Sequence, residues 1–500
     1  MANVALQRGG VFGVKDLISP VGGINSRDAR SAMSETDAIE LINWFPTPTG
    51  LISRNGSSSF CTGLGSAVHT LAEYHAGGTR KFLAAAGSAI YEISTGTASS
   101  VGSGYSSAKW QWTNFNGYMH LVNGVDAPQK YSGSTLSASG WTGTGLTPAN
   151  LVGVHAYKGR LYYWENASQD FWYGDVNAIT GTLTKFPLSR VGQKGGNLVA
   201  IKSITRDGGS GADDVIAFFM SSGTVIIYSG GDPGDAADWS LQGVYTIGAP
   251  INARTLVEIK GDVLVLTKND AISLLSVMVD SGFNNKPSKL SGKIAEKART
   301  YNASFGWQAL LHPEGNMIIF NVPIIEGSKY IQYIQNSITG AFTEFNGWNG
   351  HCFGLYNGGL YYGGAGTVYR ADYGTSDNNE FIQLSALQAF SYLGTKRNKR
   401  MSRYRVSIKA SGNITINSGL AFDYGDVFVP QAATITQDGT EWDTSPWDTS
   451  PWSPEVVVQR KIFTASGAGK TVSMRFGAKV KSTQIEWFGT EFSYIPLNSF

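Results

Sequence analysis

Charge is scarce in this 500-residue chain: Asp, Glu, Lys and Arg make up 15% of it, against roughly a quarter in an average globular protein. The formal net charge is +2, so neither bulk attraction to nucleic acid nor to an anionic membrane is implied. Only two cysteines occur, Cys61 and Cys352, which argues against a disulfide-stapled secreted fold; a single bridge between them stays open as an alternative. No run approaches the ~20 apolar residues of a membrane span, and Met1–Arg8 lacks the apolar centre of a signal peptide. A chain that folds in a reducing cytoplasm is expected. The six histidines are scattered without metal-ligand spacing, and no Gly-x-Ser-x-Gly elbow is present. Thr464–Thr471 ends like a phosphate-binding loop, but Thr464 stands where the first glycine is required and no helix follows, so a hairpin turn is expected there. Asp213, Asp214, Asp232 and Asp235 cluster in loops without a recognisable glycosidase pattern. No catalytic residue, cofactor site or metal site is assigned, and an enzyme is not expected.

What the chain has in abundance is glycine, 62 residues, and aromatics, 12%. They fall into a repeat. His155–Trp164 reads as a strand, a glycine turn and a second strand, and the form recurs at Gly78, Gly117, Gly159, Gly208, Gly261, Gly315 and Gly358, 39 to 54 residues apart. Glycine supplies the positive backbone angle of a tight hairpin, and the runs that follow, such as Val263–Leu266 and Met317–Phe320, are strongly β-prone. Short strands at a period of about 40 to 50 residues mark a β-propeller. The fold expected is all-β: a propeller of about six or seven blades over residues 61–375, an N-terminal strap over 1–60, and a C-terminal antiparallel β-sandwich-like domain over 376–500. One or two large sandwiches form the competing reading. Third strands are expected at Ile90–Ile93, Val225–Tyr228, Ile272–Leu275 and Val368–Arg370, and fourth strands at Leu183–Phe186, Trp239–Leu241 and Phe342–Phe345. The Gly/Ser/Thr-rich runs Ser94–Ser107 and Ser132–Thr147 read as exposed loops, and Lys286–Arg299 as a basic, solvated helix.

Residues 1–60 do not look like a blade. Asp37 is placed to cap a helical turn holding Ile39, Leu41 and Ile42, which Pro46 and Pro48 would stop. The order Gly23-Ile24-Asn25-Ser26-Arg27, Met33, Asp37-Ala38, Leu41–Thr47 and Gly50–Gly56 resembles the start of short-tailed bacteriophage (podovirus) tail nozzle proteins, a family also described as tail tubular protein B or packaged-DNA stabilisation protein. The match covers residues 22 to 56 and, beyond them, only the run of β repeats. It implies a virion tail protein made in the host cytoplasm: a homohexameric ring on a β-propeller, attached below the portal and adaptor (head-to-tail connector) rings, that retains the packaged genome and passes its double-stranded DNA during ejection. Tail fibres and a plug or needle protein are the further partners implied. The family carries no catalytic motif. Asn25, Arg27, Asn43, Trp44, Phe45, Pro46 and Arg54 form the structural signature and are expected to build a rigid strap that closes and packs on the first blade rather than to contact a partner.

Beyond residue 381 the composition shifts. Lys396, Arg397, Lys399, Arg400, Arg403 and Arg405 put six positive charges into ten residues with no acid. They are candidates for an interface, with an acidic protein ring rather than with DNA, because a conduit must not hold its cargo; the alternative is a charged edge strand that discourages pairing. Trp442, Trp447 and Trp452 sit in a tandem Trp-Asp-Thr-Ser-Pro repeat and offer either an aromatic platform for a partner or sugar, or rings folded back onto the domain. A glycan-binding propeller, lectin or glycosidase-like, is therefore the rival to the tail conduit.

Overall fold

The computed structural model describes residues 12–192, 194–207, 212–268, 272–275, 289–426, 429–435 and 458–497. Two compact units divide the chain: Ser58–Tyr333 with Trp348–Asp372, and Met1–Ser57 with Ile334–Gly347 and Tyr373–Phe500.

The first is a β-propeller of seven blades, whose innermost strands in ring order are Val68–Ala76, Gln111–Phe115, Leu151–Tyr157, Leu198–Asp207, Leu256–Ile259, Gln308–His312 and Cys352–Tyr356. We number the blades 1 to 7 in that order. Each innermost strand turns into a more buried second strand through the hairpin legible in the sequence. Ala76 opposes Thr79, Phe115 opposes Tyr118, Tyr157 opposes Arg160, Ile259 opposes Asp262 and Tyr356 opposes Gly359, which leaves two-residue loops. Both loop residues take positive φ, for example Asn116 (48°) with Gly117 (82°) and Asn357 (48°) with Gly358 (78°), so these are the primed turns whose twist matches that of the strands. Blade 6 differs: His312 opposes Met317 across four residues, and Asn316 rather than Gly315 takes the left-handed angle, at φ 51°. The turn at Gly208 lies outside the described residues.

Blades 1 to 4 have four strands each. The outermost strands of blades 1 and 2, Ser99–Ser103 and Leu136–Ala138, lie inside the Gly/Ser/Thr-rich runs expected to be loops. An outermost strand buries little, so it carries no apolar alternation to betray it. Blade 7 is completed by Ser57–Cys61 beside Val368–Ala371, so the segment just ahead of blade 1 closes the ring. Cores lie between adjacent blades. Phe82, Val68 and Leu71 meet Cys352, Tyr356 and Tyr361 between blades 1 and 7, and Phe171 of blade 3 stacks on Phe218 of blade 4 at 4.7 Å. Burying each such ring contributes about 1.5–3 kcal/mol, and aromatic rings are buried at each junction from blade 7 through blade 1 to blade 5. The helix is Ser291–Tyr301; Ile294, Ala295 and Ala298 are buried, so it packs rather than stands in solvent.

The second unit is an antiparallel β-sandwich. One sheet runs Gln459–Thr464, Lys399–Ala410, Ile485–Pro496, Leu51–Ser53 and Trp44–Pro46, with Gly13–Ile18 also on Ile485–Pro496. The other runs Phe342–Asn346, Gly23–Ile24, Asp37–Ile42, Ile382–Gln388, Val472–Val480, Ile414–Phe422 and Gln431–Ile435. Trp44, Phe476 and Trp487 meet between them at 5.0 to 6.2 Å. Where a strap was expected, residues 13–53 supply strands of this sandwich, pairing with Ile382–Gln388 and Ile485–Pro496. Asp37–Ile42 is a strand rather than a capped helical turn, and Phe342–Asn346 is the expected fourth strand, following Gln308–His312, Met317–Ile325 and Lys329–Asn336 in one sheet, while its other side pairs in parallel with Gly23 and Ile42. The edges expected at 60 and 375 fall close to the observed changes of unit, but the two ends of the chain share one body because strand pairing, not sequence order, decides membership.

Candidate functional site

The signature residues gather into two buried knots. In the first, Asn25 Nδ2 donates to Asp28 Oδ2 (2.9 Å) and Asp37 Oδ2 (2.8 Å), while Asn25 Oδ1 accepts from the amides of Arg27 and Asp28. Arg27 pairs with Asp28 at 2.8 Å, a hydrogen bond that raises the guanidinium pKa further. The second knot centres on Arg54, whose side chain is 0% exposed. Its Nε donates to Asn43 Oδ1 (2.8 Å), Nη1 to the Asn55 carbonyl (2.8 Å) and Asp377 Oδ1 (2.9 Å), and Nη2 to the Asn346 carbonyl (2.6 Å) and Asp377 Oδ2. Asn43 holds φ at 59° and gives its Nδ2 to the Gln383 carbonyl. Trp44 lies in the sandwich core, Phe45 opposes Ile52, and the Pro46 carbonyl accepts from Asn336 Nδ2. A planar fork matched to a carboxylate is the reason for Arg rather than Lys at position 54. Its partner Asp377, 323 residues away, carries no signal in the sequence.

The basic run does not lie on a sheet edge. Lys399–Ala410 is an interior strand, paired on one side with Ile485–Pro496 and on the other with Gln459–Thr464 and Ala468–Gly469. Those last two strands follow one line along it, so Thr464–Thr471 is a bulged edge and not a hairpin turn. Alternation splits the charges. Lys399 points inward and is buried; its ammonium donates to the carbonyls of Thr395 (2.7 Å), Arg397 (3.0 Å) and Lys470, and burial lowers its pKa. It is a structural lysine and drops out of the interface set. Arg405 is half-buried and faces Glu491 at 3.7 Å. Lys396, Arg397, Arg400 and Arg403 are exposed, and Ile462, opposite Arg405, is exposed beside them. Trp442, Trp447 and Trp452 lie outside the described residues.

The propeller axis holds what sequence reasoning missed. Arg254, just ahead of blade 5, reaches across the ring: Nη1 donates to the His69 carbonyl (2.9 Å) of blade 1, and Nη2 to Thr70 Oγ1 (3.0 Å) and to the Trp110 carbonyl (2.8 Å) at the entry to blade 2. Its guanidinium lies 5.1 Å from the Phe305 ring centroid. Burial lowers its pKa. The His69 ring, 5.7 Å from His351, is depressed to about 4 by burial and by the neighbouring cations. Farther along, His155 Nε2 meets Ser203 Oγ at 2.7 Å. The space left beside Arg254 is a cavity of about 160 Å³, bordered by Lys202, Gln308 and Cys352. The innermost channel is thus spanned by a side chain that no motif announced.

Cys61 and Cys352 are free, and both are buried in the core between blades 1 and 7; burial pushes the Cys352 thiol up to about 12. Among the described residues no group of three His, Cys, Asp or Glu side chains is placed to hold a metal. Of the loop carboxylates, Asp232 is held by Arg160 Nη2 (2.6 Å) and Asp235 accepts from the Ala237 amide (2.9 Å), so both brace a turn.

No family model matches the chain, and no curated protein matches it. Solved structures that are similar to it include Raptor from Chaetomium thermophilum (12% identity, 65% of this chain and 29% of that one, TM-score 0.43). The Cps50 (Swd1) beta-propeller domain of Myceliophteria thermophila (12% identity, 63% and 98%, TM-score 0.41) and YCF48 from Cyanidioschyzon merolae (10%, 66% and 97%, TM-score 0.37) are also similar. The chain spans less than a third of the Raptor chain's length.

Proposed function

We propose that this chain is a structural subunit of a short bacteriophage tail, the nozzle ring that forms the distal DNA conduit, retains the packaged genome and passes it during ejection. The observation that carries the reading is the use made of residues 22–56. The positions that resemble the nozzle family are the buried hydrogen-bonding and aromatic knots of the sandwich, where Asn25, Asn43 and Arg54 each meet several partners. A signature of that kind fixes a scaffold, and none of its residues is left for chemistry on a substrate.

The blocked axis adds a constraint. With Arg254 across it, the hole of one propeller cannot pass a duplex, so a conduit has to be enclosed by several copies. Six copies around a common axis fit the resemblance, and heterologous contacts that close on themselves give such a ring. Its bore is set by rigid blades and sandwiches, and a near-neutral chain does not grip the phosphates that slide past it. The adaptor ring, tail fibres and a plug or needle protein are the neighbours that this reading requires, and the virion is its location. No helix among the described residues is long and apolar enough to cross a membrane.

Electron microscopy and light scattering of the purified chain test the reading. Rings with six-fold symmetry and six times the 53.6 kDa chain mass, alone or on a particle's adaptor, are expected. A chain that stays monomeric in both settings and is absent from purified particles refutes it.

A further inference from the structure

The outer face of the sandwich sheet formed by Ile382–Gln388, Val472–Val480 and Ile414–Phe422 is hollowed into a groove of about 640 Å³. Register places its lining in rows: Ser385, Gly477 and Asn417 stand side by side across the three strands, and Gln383 stands beside Lys479. Gln383, Asn417 and Lys479 are exposed, and Lys479 has no carboxylate partner among the described residues. Phe381, 59% exposed, stands at the rim with the Lys481 ammonium 5.5 Å from its ring. Polar residues on the outward face of a sandwich are ordinary; the bare floor is not.

Gly477 makes that floor, and the fold does not ask for glycine there. Its φ is not positive, and a Cβ built on it would meet only the Leu384 carbonyl at 3.4 Å, an ordinary contact. Compare Gly153, where a Cβ would run into the Trp164 ring, or Gly23, where it would run into the Phe342 backbone. Glycine inside a strand weakens it and often marks close approach by a ligand or another backbone. Among the described residues the Leu384 carbonyl is the one backbone atom that a Cβ at Gly477 would meet within 4 Å, and it leaves room for that Cβ. The ladder on both flanks of Val472–Val480 is filled, so an added peptide strand has no main-chain partners here. What remains is a flat patch a sugar ring can lie on, amides and hydroxyls around it for ring hydroxyls, and ammonium groups for a carboxylate or sulfate.

We infer that this groove binds an acidic oligosaccharide, with a ring seated on Gly477, hydroxyls bound by Gln383 and Asn417, and its acid group bound by Lys479; the Ser385 hydroxyl is already donated to Glu40, which also pairs with Arg475. The inference does not rest on the conduit reading: it concerns one face of the sandwich and holds for a monomer as for a ring.

The test is calorimetric titration of the full chain with oligogalacturonate, oligosialate and heparin-derived oligosaccharides, with maltohexaose as the neutral control and a short DNA duplex as the anionic one. At least one acidic member is expected to bind about tenfold or more tighter than either control. Gly477→Thr fills the floor with a good strand former, so it should weaken that binding by about tenfold or more while the urea midpoint holds or rises. Lys479→Gln should weaken the acidic ligand alone. The inference is overturned if no acidic member binds, if Gly477→Thr binds as well as the parent, or if maltohexaose or the duplex binds as tightly as the acidic sugars.

Discussion

Replacing Arg54 with Met tests whether the signature segment is held by charge geometry or only by packing. The side chain is fully buried and Asp377 is 15% exposed, so the substitution keeps most of the volume and strands a carboxylate. Removing one member of a buried ion pair costs about 3–5 kcal/mol, because the remaining charge is left without compensation. Two features trim the figure: Asp377 keeps a contact to Ser57 Oγ at 3.3 Å, and Asn43 Oδ1 still accepts from the Asn346 amide at 2.8 Å. About 3–4 kcal/mol is therefore expected for Arg54→Met. Arg54→Lys retains the charge but loses the fork that serves both Asp377 oxygens, and should cost about half as much. The assay is urea unfolding followed by tryptophan fluorescence, since Trp44 and Trp487 sit in the core of the same unit. A double-mutant cycle with Asp377→Asn should return a coupling of about 2 kcal/mol or more. A loss below about 1 kcal/mol for Arg54→Met, or a cycle that closes with no coupling, refutes the argument.

His120 is buried, neither ring nitrogen has a hydrogen-bond partner among the described residues, and burial depresses its pKa to about 4. The unfolded chain binds the proton first, so this contribution to stability is complete above pH ~6.5 and falls away toward pH 4 by about 3 kcal/mol. His120→Phe should flatten that window in a pH series of thermal melts and cost nothing at pH 7. Gly117→Val forces a β-branched residue to φ 82° and should cost about 2 kcal/mol or more by urea midpoint, whereas Asn116→Gly should be close to neutral. Arg254→Met removes three charge-assisted hydrogen bonds but leaves only neutral acceptors, so about 2–4 kcal/mol is expected in thermal unfolding, with ring assembly unchanged. Arg400→Glu with Arg403→Glu alters exposed side chains on the outer sandwich face; the fold should hold within about 0.5 kcal/mol while light scattering shows the ring dispersing.

The propeller was legible because its signal is local. Five primed hairpins sit at five of the seven spacings read from glycine, and the second strands carry continuous apolar runs such as Val215–Met220 and Val263–Leu266, which the blades bury on both faces. Where the signal is not local, reading fails in a consistent way. Ser99–Ser103 is a strand with no buried side chain, so neither periodicity nor propensity could mark it. Asp37–Ile42 has a capping residue and apolar spacing that suit one helical turn, yet its backbone pairs with Gly23–Ile24 and with Ile382–Gln388, more than 340 residues on. Tertiary pairing outweighs a weak local preference. Lys399 looked like its neighbours in the basic run, and only the alternation of an interior strand turns it inward.

These failures bear on function in one direction. A sequence read for a channel looks to the propeller, because a propeller has a hole; the structure fills that hole with Arg254, His69 and Phe305, none of which belongs to a recognisable motif. Filling the axis ties blade 5 to blades 1 and 2 and stiffens each propeller at the expense of any passage through it. A chain built this way serves a conduit only as a wall. In the proposed ring the bore would depend on surfaces between copies, and the exposed Arg400 and Arg403 with Ile462 offer the mixed charged and apolar character of such a surface. Lys399 is absent from that surface: its inward turn fixes the strand that carries the others, so on the proposed reading its loss would weaken the ring through the fold, while the loss of Arg403 would weaken the ring alone.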